Sequence, residues 1–229
     1  MPVYNQRDKL EGCVSSVKQS LTAANIRNFE IIFAEDGSKD GSFEEAKRLS
    51  RKFKFVKVSH AAKKTGRGSA VFRGFSAAKG QVVAYIDADQ ATETSHLPAL
   101  INAAKKTGVA TGSRYMRASN ASRGVRRLIF SRGFNWLVRF VLGSKVSDHQ
   151  CGFKAFKKDV AKSLCEQAME RHWFWDTEVL VLAQRQGMVV SEIPVVWREQ
   201  DNTTVKFQSD VLEMFKGILR LYWRLNFRR

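Results

Sequence analysis

The sequence has few cysteines and no long apolar runs, and each shortage excludes a class of protein. Its 229 residues include three cysteines, Cys13, Cys151 and Cys165, none at metal-ligand spacing. We therefore expect reduced thiols in a cytosolic environment, with neither a disulfide scaffold nor a zinc site. No apolar run reaches the roughly 18 residues that a membrane-spanning helix needs. No signal peptide is visible either.

Acidic residues are also scarce, and the formal net charge is +17 with a sequence pI of about 10.1. Such a charge calls for an anionic partner: nucleic acid, an anionic membrane surface or a phosphorylated substrate. Residues 114–145 contain eight Lys or Arg and no acid, together with many large apolar side chains. This mixture favours a membrane interface, and we expect no nucleic acid partner. An ordinary basic helix packed on the domain is the alternative.

The most informative segment that is present is Gln81–Asp89. Val82–Ile86 is typical of a buried strand, and Asp87 and Asp89 follow at its carboxyl end. Ligands of open α/β sheets bind at the carboxyl ends of the strands. Two such close acids need a cation or hydrogen-bond donors to offset their repulsion, and Mg²⁺ is commonly held by one or two carboxylates plus substrate phosphates. The segment therefore indicates a site for a metal-bound phosphorylated ligand, with a solvated turn as the alternative.

Four further segments carry polar groups suited to a site. Asp36 follows an earlier strand and could accept from a base or a ribose hydroxyl, and the glycine-rich, basic segment Lys63–Ser69 precedes a helix and favours phosphate. Asp148–Phe156 reads as a polar loop, within the longer loop predicted over Ser147–Phe156. Trp175–Glu178 opens an apolar helix with two acids. Each of these residue sets also has a purely structural explanation as a cap, a turn or a buried thiol.

Strands and helices alternate through the first two thirds of the chain. This order predicts an α/β fold with a mostly parallel, twisted sheet flanked by helices. We predict one domain over residues 1–229, whose first strand is shortened at Pro2–Asn5. Two basic amphipathic helices are predicted towards the carboxyl end, Val125–Leu142 and Val205–Phe227, the second followed by Arg228 and Arg229.

Taken in order, the motifs resemble one family. They are Pro2–Asn5, Glu35–Ser38, Gly66–Gly68, Asp87–Asp89, Gly112–Arg114 and Asp148–Phe153. The sequence resembles the glycosyltransferase family 2 polyprenyl-phosphate sugar transferases of GT-A fold, and within them the dolichyl-phosphate β-glucosyltransferase branch. That branch has Asp-Ala-Asp-Gly-Ala-Thr where this chain has Gln90 in fourth place. It also has segments like Gln150–Lys154, Trp175–Glu178 and Val195–Glu199, so the resemblance covers nearly the whole chain.

The resemblance implies a role for each matching residue. Pro2, Tyr4, Asn5 and Asp36 match positions at the nucleotide base and ribose, with Gly66 and Arg67 in the adjoining loop. Asp87 and Asp89 match the acids near ribose and a Mg²⁺ or Mn²⁺ ion, Asp89 being the principal ligand. Arg114 and Arg127 are similar to arginines that hold the lipid phosphate. The acceptor-side or sugar-side polar positions are matched by Asp148, Gln150, Asp176 and Glu178.

Departures from the family pattern bear on the donor. Ala91 stands where the mannose-synthase branch has a metal-binding Gln, which weakens a GDP-mannose assignment. Lys64 and Arg67 replace the common Asn and Lys around the glycine loop. The resemblance implies inverting transfer of a hexose, expected to be glucose, from a UDP-sugar to dolichyl or another polyprenyl phosphate at the cytosolic face of a membrane. The alternatives are a GDP-mannose or UDP-N-acetylglucosamine donor, a protein or glycan acceptor, and a non-catalytic basic module that binds lipid or nucleic acid.

Overall fold

Strands joined by helices build the first half of the protein. The computed structural model describes residues 1–122, 124–198 and 207–227. Its first half runs β1 (Pro2–Val3), α1 (Leu10–Ala23), β2 (Ile31–Asp36), α2 (Ser42–Lys52), β3 (Val56–Ala61), α3 (Arg67–Ala77), β4 (Val82–Ile86), α4 (Leu97–Thr107) and β5 (Val109–Ser113), with short 3₁₀ turns before α1 and α4. The two residues of β1 pair in parallel with Ala34 and Glu35 of β2.

The second half inserts one strand between β4 and β5, adds another beside β5, and contributes a separate pair of short strands and four helices. It contains β6 (Asn120–Ser122), α5 (Val125–Leu142), β7 (Phe153–Lys157), α6 (Lys158–Gln167), α7 (Trp175–Arg185), β8 (Val190–Pro194), β9 (Val196–Arg198) and α8 (Phe207–Phe227). Val205 and Lys206, the predicted start of the last helix, lie outside the described residues, as do Arg123, Glu199, Arg228 and Arg229. No helix within the described ranges is long and apolar enough to cross a bilayer.

The strands form three hydrogen-bonded groups, ordered β1-β2-β3, β4-β7-β5-β8 and β6-β9. Pairing is parallel except on the two sides of β7, which runs antiparallel to β4 and β5. A mostly parallel sheet is therefore confirmed. The prediction of a loop over Ser147–Phe156 was wrong from Phe153 onward, because Lys154 interrupts the apolar pattern and yet is fully buried.

Three apolar clusters hold the layers together. One packs α1, α2 and α4 on the strands, and a second packs α3, α6 and α7 on their other side. Every residue of α7 from Trp175 to Ala183 is buried, so two acids that lie on this helix, Asp176 and Glu178, are buried with it. The third cluster joins α5 and α8 through Phe134, Val138, Leu142, Ile218 and Leu221.

Candidate active site

The carboxyl ends of β1 and β2 meet the loop before α3. Gly37 has φ +72°, and a Cβ there would lie 2.7 Å from the backbone C of Lys63 and N of Lys64, so only glycine permits this approach. The Lys64 ammonium lies 3.9 Å from the centre of the Tyr4 ring. The backbone N–H of Asn5 donates to Ser38 Oγ at 2.9 Å. The structure thus brings the predicted base-side residues to one corner of the sheet, beside the basic loop.

Asp36 lies in this corner but is turned inward. One carboxylate oxygen accepts from the backbone N–H groups of Thr65 (3.0 Å) and Gly66 (2.9 Å), and the other from the Thr65 hydroxyl and Arg73. The side chain is almost fully buried. In this arrangement Asp36 fixes the glycine-rich, basic segment Lys63–Ser69. Its direct contact with a nucleotide stays a prediction.

Asp87 emerges from β4 beside the first residue of α3. One terminal nitrogen of Arg67 donates to both oxygens of Asp87, at 2.7 and 2.9 Å, and to the Tyr85 hydroxyl at 3.0 Å. Gly152, in the turn before β7, makes room for this pair, since a Cβ there would lie 1.8 Å from Asp87 Oδ2. Burial, together with the charges of Asp89 and Asp176, raises the pKa of Asp87 to about 6 despite Arg67.

A buried network supports Arg67 from below. Asp176 of α7 accepts from the Tyr85 hydroxyl and, at 2.8 Å, from the Lys154 ammonium, while its second oxygen lies 3.8 Å from Arg67 Nε. Burial raises the pKa of Tyr85 well above its usual value. Asp176 is therefore brought to the Asp87 site, and its acceptor-side or sugar-side role stays a prediction. Lys154 was missed, because its place in the network depends on β7 lying next to β4.

Asp89 is the second of the two acids that end β4, and like Asp87 it is partly exposed. One of its oxygens accepts from the backbone N–H of Ala91 at 3.0 Å. Gln90, at φ +54°, turns the chain sharply here and is pinned to α1 by a 2.8 Å bond from the Ser16 hydroxyl. Within the described ranges no group of three or more His, Cys, Asp or Glu could hold a metal. The Asp89 carboxylate fits an ion of the Mg²⁺ or Mn²⁺ type. Asp87 is already paired to Arg67, so the remaining ligands would be substrate oxygens and water.

The two predicted phosphate-binding arginines lie around one aromatic ring. The Cζ atoms of Arg114 and Arg127 are 5.6 and 5.8 Å from the centre of the Trp197 ring. Asp148 is fully buried, and its carboxylate accepts hydrogen bonds from Nε and Nη2 of Arg114 at 2.7 and 2.8 Å. Asp148 therefore orients Arg114, and its acceptor-side or sugar-side role stays a prediction. Trp197 belongs to the family segment Val195–Glu199 but was given no role from the sequence, and both guanidinium groups lie near its ring.

The remaining predicted residues divide between the site and its support. The Gln150 side chain donates to Thr177 Oγ1 at 2.7 Å, next to Asp176 on α7. Glu178 lies two residues further along the helix and on another face, where it contacts Arg224 of α8. The structure does not bring Glu178 to the Asp87 corner. His149 is buried between Ser144 and Asn135, which supports a structural role over metal binding.

Comparison with known proteins identifies the family. Residues 1–165 match the family model described as Glycosyl transferase family 2. The chain is 40% identical over 231 residues to a protein named Glycosyltransferase AglD from Haloferax volcanii, covering 100% of this chain and 37% of that protein's length. It is 31% identical to a protein named dolichyl-phosphate beta-glucosyltransferase ALG5D from Trichomonas vaginalis, covering 99% of this chain and 73% of the relative. A Drosophila melanogaster dolichyl-phosphate beta-glucosyltransferase is 29% identical over 98% of the chain and 73% of its own length.

Solved structures of glucosyl-3-phosphoglycerate synthase from Mycobacterium tuberculosis share the fold. The complex with uridine diphosphate superposes with a TM-score of 0.71 at 18% identity, over 96% of this chain and 78% of that one. A second complex, with Mn²⁺, uridine diphosphate and glucosyl-3-phosphoglycerate, gives 0.69 at 17% identity over 96% and 77%. These similarities confirm the predicted GT-A fold. With the family match across 165 residues, the chain belongs to glycosyl transferase family 2 and is a glycosyltransferase.

Proposed function

We propose that the protein transfers glucose from UDP-glucose to a polyprenyl phosphate of the dolichyl type, with inversion at the anomeric carbon, at the cytosolic face of a membrane. The observation that carries the proposal is that two charged centres lie at one edge of the sheet. Asp87, Asp89 and Arg67 form one centre beside the basic loop, and Arg114 and Arg127 form the other around Trp197. The names of the relatives from Trichomonas vaginalis and Drosophila melanogaster support glucose as the sugar and dolichyl phosphate as the acceptor, and the uridine diphosphate in the Mycobacterium tuberculosis structures supports the nucleotide.

The proposed reaction needs little proton transfer from the protein. An oxygen of the acceptor phosphate, already anionic at neutral pH, forms a bond to the anomeric carbon as the bond to the nucleoside diphosphate breaks. A divalent ion held by Asp89 would stabilise the charge on the departing diphosphate. Arg114 and Arg127 would hold and orient the attacking phosphate through planar, bidentate contacts. The chain then contributes mainly positioning and fixed charge.

An Asp89→Asn variant tests the reaction. We expect transfer of radiolabelled glucose from UDP-glucose to polyprenyl phosphate to fall below detection with the fold intact, because the proposed metal-binding carboxylate is lost. Asp159→Asn is the matched control, since Asp159 is exposed and shares a cleft with Val82 at the other end of β4. Parallel assays with GDP-mannose and UDP-N-acetylglucosamine identify the donor. Full activity in Asp89→Asn, or in the native protein after exhaustive chelation, would defeat the metal-dependent scheme.

We further propose that α5 and α8 dock this site on an anionic bilayer. Their outer faces expose large apolar side chains, among them Trp136 and Phe140 on α5, 62% and 75% exposed, and Leu219 and Trp223 on α8, 66% and 63% exposed. Exposed Arg126, Arg132 and Arg139 flank the α5 face. Aromatic side chains with interleaved arginines match an interfacial helix, each basic residue near an anionic surface contributing about 1 kcal/mol. Arg127 on the same α5 would bring the acceptor-phosphate centre close to the lipid surface.

Vesicle flotation tests this surface. We expect binding to vesicles that contain anionic lipid, weakening as salt is raised, and a marked loss in Trp136→Glu. Val189→Glu is the control, because Val189 is a 68% exposed apolar residue outside both helices. Binding that ignores lipid charge, or equal loss in both variants, would show that α5 and α8 are structural helices with solvated charges.

A further inference from the structure

A short segment before α7 lies between the candidate active site and helix α8. We call residues 169–174 the bridging segment. Its carbonyl at Arg171 accepts from the backbone N–H of Ser69 at 3.2 Å, and the Trp173 ring lies 4.8 Å from the Arg67 guanidinium. A Cβ added to Gly66 would lie 2.5 Å from the Arg171 carbonyl oxygen. The bridging segment therefore rests directly on the turn that begins α3.

Helix α8 supports the bridging segment from the opposite side. Phe174 packs against Gly217, where an added Cβ would lie 2.5 Å from the ring. Arg220 forms an ion pair with Glu170 at 2.7 Å. The backbone of α8 can approach this closely only because position 217 has no side chain.

Glu178 fastens the bridging segment and α8 together. Its carboxylate is 1% exposed and accepts from the backbone N–H groups of Met169 (3.0 Å) and Glu170 (2.8 Å). Arg224 of α8 completes the set as its ion-pair partner. Moving a buried carboxylate away from this many donors is unfavourable, because loss of one partner leaves a charge without compensation.

We propose that Glu178, Arg224 and Gly217 are positioning residues that hold the bridging segment on the turn at Gly66 and Arg67. This role replaces the catalytic role predicted for Glu178. The positioning role rests on the proposed function in one respect, because the nucleotide diphosphate is taken to bind at that turn. Since α8 also carries part of the proposed lipid-facing surface, one helix contacts the membrane and supports the donor side. Movement of α8 then alters donor binding without any contact to the donor.

Gly217→Ala tests the steric part of the proposal. The matched control is Gly133→Ala, because Gly133 is also a helix glycine but has no atom within 4 Å of an added Cβ. We expect Gly217→Ala to weaken UDP binding in the presence of Mn²⁺ by roughly 2- to 30-fold. Hydrogen exchange of residues 169–174 should also become faster. Both quantities should stay at their native values in Gly133→Ala.

Arg224→Met tests the ion pair, and Arg224→Lys serves as the conservative rescue. We expect the same two changes in Arg224→Met and partial recovery in Arg224→Lys, a pattern that a general loss of stability would not give. If Arg224→Met fails to fold, Gly217→Ala decides. Native UDP affinity and native exchange in every folded variant overturn the proposal. If the native protein shows no transfer with any donor, the proposed function fails. The positioning role is then judged by hydrogen exchange alone. Faster exchange of residues 169–174 in Gly217→Ala supports it, and unchanged exchange rejects it.

Discussion

Gly152→Ala is expected to disable the site by displacing a single carboxylate. The new Cβ would lie 1.8 Å from Asp87 Oδ2 and 2.6 Å from a terminal nitrogen of Arg67, where ordinary contact begins near 3.4 Å. Asp87 must therefore move by about 1.6 Å, which breaks its contacts with Arg67. Gly152 does not have a positive φ, so alanine is allowed by the backbone and the effect is steric.

The size of the effect follows from this displacement. Displacement of a positioned active-site group by about 1 Å costs on the order of 100-fold in rate, so kcat/KM should fall by roughly 100-fold or more. Overpacking of this kind costs about 1–3 kcal/mol of stability, which lowers Tm by about 2–12 °C in a chain of this size. The variant should thus remain folded at 25 °C and be nearly inactive.

Glucose transfer to polyprenyl phosphate and a thermal melt measure the two quantities side by side. Gly12→Ala is the control, because its Cβ would make only a 3.7 Å contact, with Gln90. It should keep native activity and gain up to about 1 kcal/mol in helix propensity. Activity of Gly152→Ala within twofold of the native protein would refute the reasoning, because the Asp87–Arg67 contact would then be dispensable.

Three further changes test other parts of the structure. Arg127→Ala should raise the KM for polyprenyl phosphate by about 10-fold or more through loss of a charged contact, with the KM for UDP-glucose unchanged. Equal loss for both substrates in steady-state kinetics would contradict that role. Burial lowers the pKa of His149 to about 3, so its unfolded form takes up a proton as pH falls below about 6.5 while the folded form stays neutral. Stability should then drop by about 2 kcal/mol between about pH 7.5 and pH 5, and His149→Gln should abolish that part of the drop in urea unfolding curves. Lys154→Met should cost about 3–5 kcal/mol by removing the close ion-pair partner of buried Asp176, which leaves only the more distant Arg67, and the double variant with Asp176→Asn should recover most of it; a double variant no more stable than Lys154→Met would argue against the pairing.

The features that sequence reasoning found are those set by local pattern. Asp87 and Asp89 were predicted at a strand end because an apolar run of five residues precedes them. The nucleotide-side positions of Tyr4, Asn5 and the loop at Gly66 came from the family resemblance. The first prediction needs no contact between distant parts of the chain, and the second used the order of the family motifs.

What was missed depends on such distant contacts. Lys154 looked like a loop residue, since nothing near it in sequence shows that β7 lies between β4 and β5. Asp176 and Glu178 were assigned together to the site. Their spacing of two on a helix already places them about 200° apart. In the structure Asp176 lies near Arg67, whereas Glu178 contacts α8.

The position of β7 also governs how this chain can be assembled. β4 and β5 are separated by a strand that follows β5 by some forty residues along the chain. Until Phe153–Lys157 has been made, β4 and β5 each present an unpaired edge of the kind that favours aggregation. Bringing a distant strand between two earlier ones also carries a loop-closure cost and slows folding. On the ribosome, the acid-bearing end of β4 would therefore gain its Gly152 and Lys154 neighbours only at a late stage, and a fragment that stops at Ser113 should collect in aggregates.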